Sequence, residues 1–379
     1  MKNDYLSFYG ENKISPVHQD ISDIKLHYMR RQKLYRQCGI PIVAFRDSEA
    51  LEIGPGGGYN TLALFYFGVK HVDLVEPNSA GVENMKRLFC QQNIEADKYT
   101  IIDKSVEAFQ SEKKYDLIFA EGFLSYLENS REICQKLGSM LKPGGVITIT
   151  CADDACIFVE LMKRLIGIVI AGTEKTLSDK VNKLIPVFEP QLKMLKGVSR
   201  PAKDWIEDNI FNPAFSNGYS FSIGDALDVF EAFEVLGQSP RMLTDYSWYK
   251  DVWFDEYEDY KRQFCKKRMT LVMAGLPEQI LNEEKSAELS ELFSRAKRLE
   301  NEYEKSQDAQ LLEELSELLI KGKDTVSILN ESFCSVYGEI VDAIDELKSG
   351  TAPELSKYPD FFGAFGRGLQ YISFMKSFL

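Results

Sequence analysis

The chain has 379 residues, a formal net charge of -13, 44% hydrophobic and 27% charged residues. That balance belongs to a folded globular chain rather than a disordered or fibrous one, and the length accommodates one large α/β domain with additions, or two domains. The acidic surplus weighs against a phosphate-backbone partner, so nucleic acid is not expected.

The seven cysteines are scattered, odd in number and never spaced C-x-x-C, which suggests neither a disulfide framework nor a zinc site. Met1 to Tyr5 lacks the apolar run of a signal peptide. The longest apolar stretch, Ile157 to Ala171, is interrupted by Glu160, Lys163 and Arg164. It falls short of the roughly 20 apolar residues that span a bilayer and reads as a soluble helix. A cytoplasmic location is expected.

In chain order, the first element is a helix from about Asp20 to Gln37. Ile24, Tyr28, Leu34 and Tyr35 form its apolar stripe, with Asp23, His27, Arg30 and Arg31 on a more polar side. Short β-rich runs then alternate with amphipathic helices. The strands are Ala50 to Ile53, His71 to Val75, Tyr99 to Ile102, Tyr115 to Phe119 and Val146 to Thr150. The helices are Tyr59 to Phe67, Ser79 to Gln92 and Ser130 to Leu141, the last stopped by Pro143-Gly144-Gly145. Such alternation implies right-handed crossovers and a mostly parallel sheet covered on both faces.

A helix-rich insertion follows, and strands six and seven are expected at Phe233 to Leu236 and Met269 to Ala274. Beyond Glu278 the composition of Glu, Lys, Leu, Ala and Ser predicts two or three amphipathic helices, marked by Leu289, Leu292, Leu299 and by Leu311, Leu315, Leu318, Leu319. They form a stabilising appendage, a lid or a homodimer element.

The run Glu52-Ile53-Gly54-Pro55-Gly56-Gly57-Gly58 sits between a strand and a helix, where glycines let backbone amides approach a ligand. A dinucleotide fingerprint G-x-G-x-x-G would need glycine where Tyr59 stands, which disfavours nicotinamide. Glu52-x-Gly54-x-Gly56-x-Gly58 resembles the first motif of class I S-adenosylmethionine-dependent methyltransferases. The resemblance continues through Val72 to Asn78, with Glu76 ending the second strand, through Lys114 to Gly122 at the fourth, and through Leu141 to Ile149 at the fifth.

This resemblance implies a seven-stranded Rossmann-like methyltransferase sheet. It also implies three regions: an N-terminal helical lid (1–46), the methyltransferase domain (47–277, helical insertion at about 155–220) and a helical C-terminal extension (278–379). The cofactor implied is S-adenosyl-L-methionine. Gly54, Pro55, Gly56 and Gly58 would form its loop, Glu52 would orient water or the methionine ammonium, and Glu76 would hold the ribose. Pro77 and Asn78 would flank the adenine. Where the family commonly carries Asp after the third strand, Ser105 aligns here, beside Val106, with Asp103 as the substitute if the register shifts.

Methyl transfer to a hydroxyl is helped by a base. His71 opens a strand away from the carboxyl ends and reads as structural, which leaves His18 and His27 of the N-terminal segment as candidates. Glu121, past the fourth strand, stands where ligands bind in open α/β sheets and is a base or cofactor contact. Asp153, Trp205, Asn209 and Tyr246 are candidates for the acceptor pocket, although Asp often caps helices and aromatic residues more often belong to a core. Asp153 and Asp154 lack a third carboxylate, so no metal is expected. The expected function is methyl transfer to an oxygen or nitrogen of a small molecule. A cofactor-binding scaffold without catalysis is the alternative, and an NAD-dependent oxidoreductase is a weaker one.

Overall fold

Alternating β-rich and amphipathic segments build one seven-stranded sheet, in which the first three strands of the chain stand in reverse order, followed by the fourth, fifth, seventh and sixth. The computed structural model describes residues 4–12, 14, 18–195, 200–251, 256–350, 352–354 and 357–378. Lys13, Ser15, Pro16 and Val17 of the expected lid segment lie outside them.

The elements begin with α1 (Asp4–Glu11), α2 (Ile24–Gln37), β1 (Glu49–Ile53), α3 (Thr61–Tyr66), β2 (His71–Val75), α4 (Ser79–Gln91) and β3 (Tyr99–Ile102). Next come β4 (Tyr115–Ala120), α5 (Ser130–Ser139), β5 (Leu141–Cys151), α6 (Asp154–Ala171), α7 (Leu177–Met194), α8 (Ala202–Ile206), α9 (Ile223–Val229) and β6 (Phe233–Ser239). The chain ends with α10 (Glu256–Lys267), α11 (Glu283–Ser306), α12 (Ala309–Val326), α13 (Glu331–Lys348), α14 (Pro359–Gly363) and β7 (Gln370–Lys376).

Strands β1 to β5 pair in parallel, with Ile53 opposite both Val75 and Ala120. Parallel strands covered on both faces need apolar side chains on both sides. Accordingly Ala50, Leu51, Val72, Leu74, Ile118 and Phe119 are all buried. The switch in strand order falls between β1 and β4, whose carboxyl ends flank a crevice, the usual ligand position in open α/β sheets.

The sheet departs from the sequence expectations at two places. Helix α5 ends at Ser139, and Pro143-Gly144-Gly145 lies inside β5: Tyr115 pairs with Leu141 and Leu117 with Val146, so a bulge absorbs the residues between them. Gly144 has φ 74° there, a conformation glycine adopts without steric cost. The seventh strand is not Met269 to Ala274, where Arg268–Leu271 instead forms a short 3-10 helix. Strand β7 is Gln370–Lys376, antiparallel to β5 and β6. Apolar content alone does not select a pairing partner, and the alternation of Ile372, Phe374 and their neighbours suits this position better.

The chain divides into two compact units. One comprises Met1–Cys151, Phe221–Lys261 and Leu369–Leu379, and the other Ala152–Ser220 and Arg262–Gly368. The expected helical insertion and much of the helical C-terminal extension thus cluster with each other. In this second unit α6 contributes a buried Arg164, paired with Glu300 at 3.2 Å and Glu304 at 2.5 Å on α11. Lys163 donates to the carbonyls of Phe362 and Ala364 at 2.9 and 2.5 Å. The Phe365-Gly366-Arg367-Gly368 stretch is held by Gly366 N–H donating to Glu160 at 2.8 Å. A Cβ on Gly366 would lie 1.9 Å from the Cys156 carbonyl oxygen, so glycine is required for this approach. No helix among the described residues is long and apolar enough to cross a membrane.

Phe374 of β7 is fully buried and stacks on Phe230 with ring centroids 4.6 Å apart. Phe374→Ala should lower unfolding free energy by about 3–5 kcal/mol in urea titrations. A loss under about 1 kcal/mol, within the range of surface changes, would contradict the central placement of β7.

Candidate active site at the carboxyl ends of the strands

The loop after β1 turns because Gly54, Gly56 and Gly58 take φ of 68°, 55° and 79°, a region that L side chains rarely occupy. Gly54 N–H donates to the Val75 carbonyl at 2.9 Å, and Gly58 N–H closes a turn on the Pro55 carbonyl at 2.9 Å. A Cβ on Gly58 would meet Met85 Cγ at 2.7 Å, so this glycine also lets the loop pack on α4.

Glu76 lies under this loop, 3% exposed. Its carboxylate accepts Gly56 N–H at 2.7 Å and Asn78 N–H at 2.8 Å. Burial raises the Glu76 carboxyl above its ordinary range, while the Asn78 and Gly56 amides oppose that shift and Asp103 adds to it. Asn78 is buried and caps α4 by accepting Gly81 N–H at 2.7 Å, while Pro77 beside it is half-buried.

Glu52, at the end of β1, accepts the Thr61 hydroxyl at 2.7 Å and is pushed up to about 7, mainly by burial. Glu121 is engaged by Arg31 through two hydrogen bonds, of 2.5 and 3.0 Å. Arg31 also donates to the Tyr35 hydroxyl at 2.6 Å. Asn60 reaches Glu121 at 3.3 Å and accepts from Gln19 at 3.2 Å. The first unit therefore brings Glu52, the glycine loop, Glu76 and Glu121 to the carboxyl ends of β1, β2 and β4.

The expectation that His27 and Arg31 lie on a polar side of α2 is corrected: both are buried, on the same face as Tyr35. Their spacing at 27, 31 and 35 is the i, i+4 repeat of one helix face, the signal that identifies them. His27 Nε2 lies 2.9 Å from the Tyr59 carbonyl, so it carries the proton and donates. Burial, followed by Arg31, lowers the His27 pKa, which keeps the ring neutral near pH 7. His18 is exposed and meets the Tyr59 ring edge-on at 5.5 Å. His71 is held by the Asp97 carbonyl at 2.8 Å and Thr100 Oγ1 at 3.0 Å, at the opposite end of its strand.

Ser105 and Val106 form a turn after β3, with Phe109 N–H donating to the Ser105 carbonyl at 2.9 Å and Val106 buried. Asp103 is exposed. The acceptor candidates are not gathered in one unit. Asp153, Trp205 and Asn209 belong to the second unit and Tyr246 to the first. Asp153 caps α6 by accepting Ala155 N–H at 2.9 Å and is ion-paired with Arg268. Trp205 packs against Phe188 and Phe365, and Asn209 donates to the Trp205 carbonyl at 2.9 Å. Tyr246 is 90% exposed. Arg31, Asn60, Thr61 and Gln19 are polar partners that composition does not reveal, because their contacts join distant parts of the sequence. Among the described residues no group of three or more His, Cys, Asp or Glu is placed to hold a metal ion.

Residues 27–195 match the family model described as a methyltransferase domain. A malonyl-[acyl-carrier protein] O-methyltransferase 2 of Ilyobacter polytropus is 31% identical over 111 residues, 28% of this chain and 41% of that protein. A ubiquinone biosynthesis O-methyltransferase of Rickettsia bellii is 26% identical over 106 residues, 27% of this chain and 42% of that protein. The chain thus spans less than half the length of these curated relatives. Among solved structures, the N-methyltransferase NodS of Bradyrhizobium japonicum in complex with S-adenosyl-L-homocysteine is 23% identical. It aligns with 41% of this chain and 76% of that one at a TM-score of 0.32.

Arg31→Met should lower stability by about 2–4 kcal/mol, because it leaves the largely desolvated Glu121 side chain without its charge partner. Adding Glu121→Met should recover most of that loss in denaturant unfolding. A double variant as unstable as the sum of both singles would show that the two side chains do not act as a pair.

Proposed function

We propose that residues 27–195, which match the family model described as a methyltransferase domain, form a class I, S-adenosylmethionine-dependent methyltransferase, and that the protein transfers the donor's methyl group to an oxygen or nitrogen of a small-molecule acceptor. The observation that carries this reading is the buried Glu76 carboxylate beneath a loop of positive-φ glycines at the strand-order switch. An acidic side chain in that place accepts ribose hydroxyls, and a glycine loop admits a ligand close to its backbone. The residues present therefore fit the cofactor.

S-adenosylmethionine supplies, when bound, a methyl group activated by a sulfonium. In this reading Gly54, Gly56 and Gly58 line the cofactor, Glu76 orients the ribose, and Asn78 holds the start of α4 beside it. Glu121 is fixed by Arg31 and Asn60, which suits it to positioning rather than to free proton acceptance. His18, exposed and edge-on to the Tyr59 ring, is the base candidate in this reading. The His27 ring is buried and spends its proton on the Tyr59 carbonyl. Oxygen as the acceptor atom is favoured by the two curated relatives named as O-methyltransferases. The surplus of acidic residues favours a small acceptor over nucleic acid.

Isothermal titration of the full chain with S-adenosylmethionine, S-adenosylhomocysteine and NAD tests the donor. Binding of the first two and not the third is expected, and binding of NAD alone overturns the reading. Glu76→Gln should weaken binding of S-adenosylmethionine about 10- to 100-fold, the loss typical of a charged hydrogen-bond partner. Radiolabelled methyl transfer to a panel of small hydroxyl and amine compounds then tests turnover.

A further inference from the structure

Glu52 is 5% exposed, two residues ahead of Gly54 and the glycine loop. One of its oxygens accepts the Thr61 hydroxyl of α3 at 2.7 Å. The charged and titratable groups that face it are Glu121 from beyond β4, Arg31 and Tyr35 from α2, and Glu76 from the end of β2. Three carboxylates thus oppose one guanidinium. Arg31 is committed to Glu121 through two hydrogen bonds. Glu52 and Glu76 have no ion-pair partner among the described residues.

A surplus of negative charge in a desolvated crevice attracts a cation more strongly than it would in water. The methyl donor carries a sulfonium, whereas its product is a neutral thioether, and the two differ by one charge and one methyl group. Resting on the cofactor reading above, we propose that Glu52 is a specificity residue: its charge makes the site prefer the cationic donor over the spent product. Release of product is thereby favoured once the methyl group has left.

Burial holds the Glu52 carboxyl up to about 7, with Thr61 and Arg31 opposing the rise and Glu121 and Glu76 adding to it. Its charge is therefore present above that pH and lost below it. The test measures affinities for S-adenosylmethionine and S-adenosylhomocysteine at pH 8 and pH 6, by titration calorimetry, for the wild type and Glu52→Gln.

In the wild type the preference for the donor should be about tenfold greater at pH 8 than at pH 6. Glu52→Gln, whose amide oxygen still accepts from Thr61, should keep the lower preference at both values. Comparison with this variant cancels titration of the ligands' own amino groups. A wild-type preference that moves with pH no more than the variant's overturns the role of Glu52 and leaves the cofactor site standing. Folded wild-type protein that binds neither ligand at either pH overturns the cofactor reading itself. Should Glu52→Gln fail to fold, wild-type titrations at pH 7 in buffers of different ionisation enthalpy decide the matter. Donor binding should release more protons than product binding, and equal release overturns the proposal.

Discussion

The crevice depends on one carboxylate that accepts two backbone amides from different segments. Glu76 joins Gly56 of the loop after β1 to Asn78 of the turn after β2. Its own N–H donates to the Ile102 carbonyl at 3.1 Å, extending the β2 to β3 pairing by one residue. Asn78 then caps α4 through Gly81, and a Cβ on Gly81 would lie 3.2 Å from the Gly56 carbonyl oxygen. The loop, the strand end and the helix start are thus fixed to one another through a few atoms. A buried carboxylate with charge-assisted bonds to amides tolerates desolvation because those bonds replace its water.

The second constraint is the buried charge on α2. Burying Arg31 and Glu121 does not by itself add much stability, since desolvation offsets much of their attraction. Their geometry does select an arrangement. Two parallel hydrogen bonds from one guanidinium to one carboxylate fix both distance and orientation, which sets Arg31 against the loop beyond β4. Tyr35 and Asn60 fill the remaining directions around the pair. The same face of α2 places His27 on the Tyr59 carbonyl, directly after the glycine loop.

Most of the parallel sheet was legible because strand periodicity and glycine punctuation are local properties. His71–Val75 and Tyr99–Ile102 form as read, and β1 differs from the expected run only by including Glu49. Position 76 was likewise legible, since an acid closing a strand after a glycine loop is a local pattern. The burial of His27 and Arg31 was not, because the compensating Glu121 lies 90 residues beyond Arg31. A charged residue reads as exposed until its partner is known. Acceptor contacts were harder still: Asn209 spends its hydrogen bond on its own local helix, and Asp153 divides its carboxylate between capping α6 and pairing with the distant Arg268, the capping being common for short polar residues.

The seventh strand was misplaced for a different reason. Met269 to Ala274 and Gln370 to Lys376 are both apolar-rich, and pairing decides between them. Gln370 to Lys376 has a partner on each side, opposite Val146 to Cys151 of β5 and Phe233 to Ser239 of β6. On the β5 side, Thr148 and Ser373 also share a buried hydrogen bond of 2.8 Å. A strand with neighbours on both sides satisfies both rows of backbone groups, whereas burying them unpaired would be costly. Closing the long excursion between β6 and β7 is a modest opposing term, because loop-closure entropy grows only by about 0.6 kcal/mol per doubling of length. Backbone pairing therefore outweighs proximity in sequence, and the last residues of the chain complete a sheet that begins at Glu49.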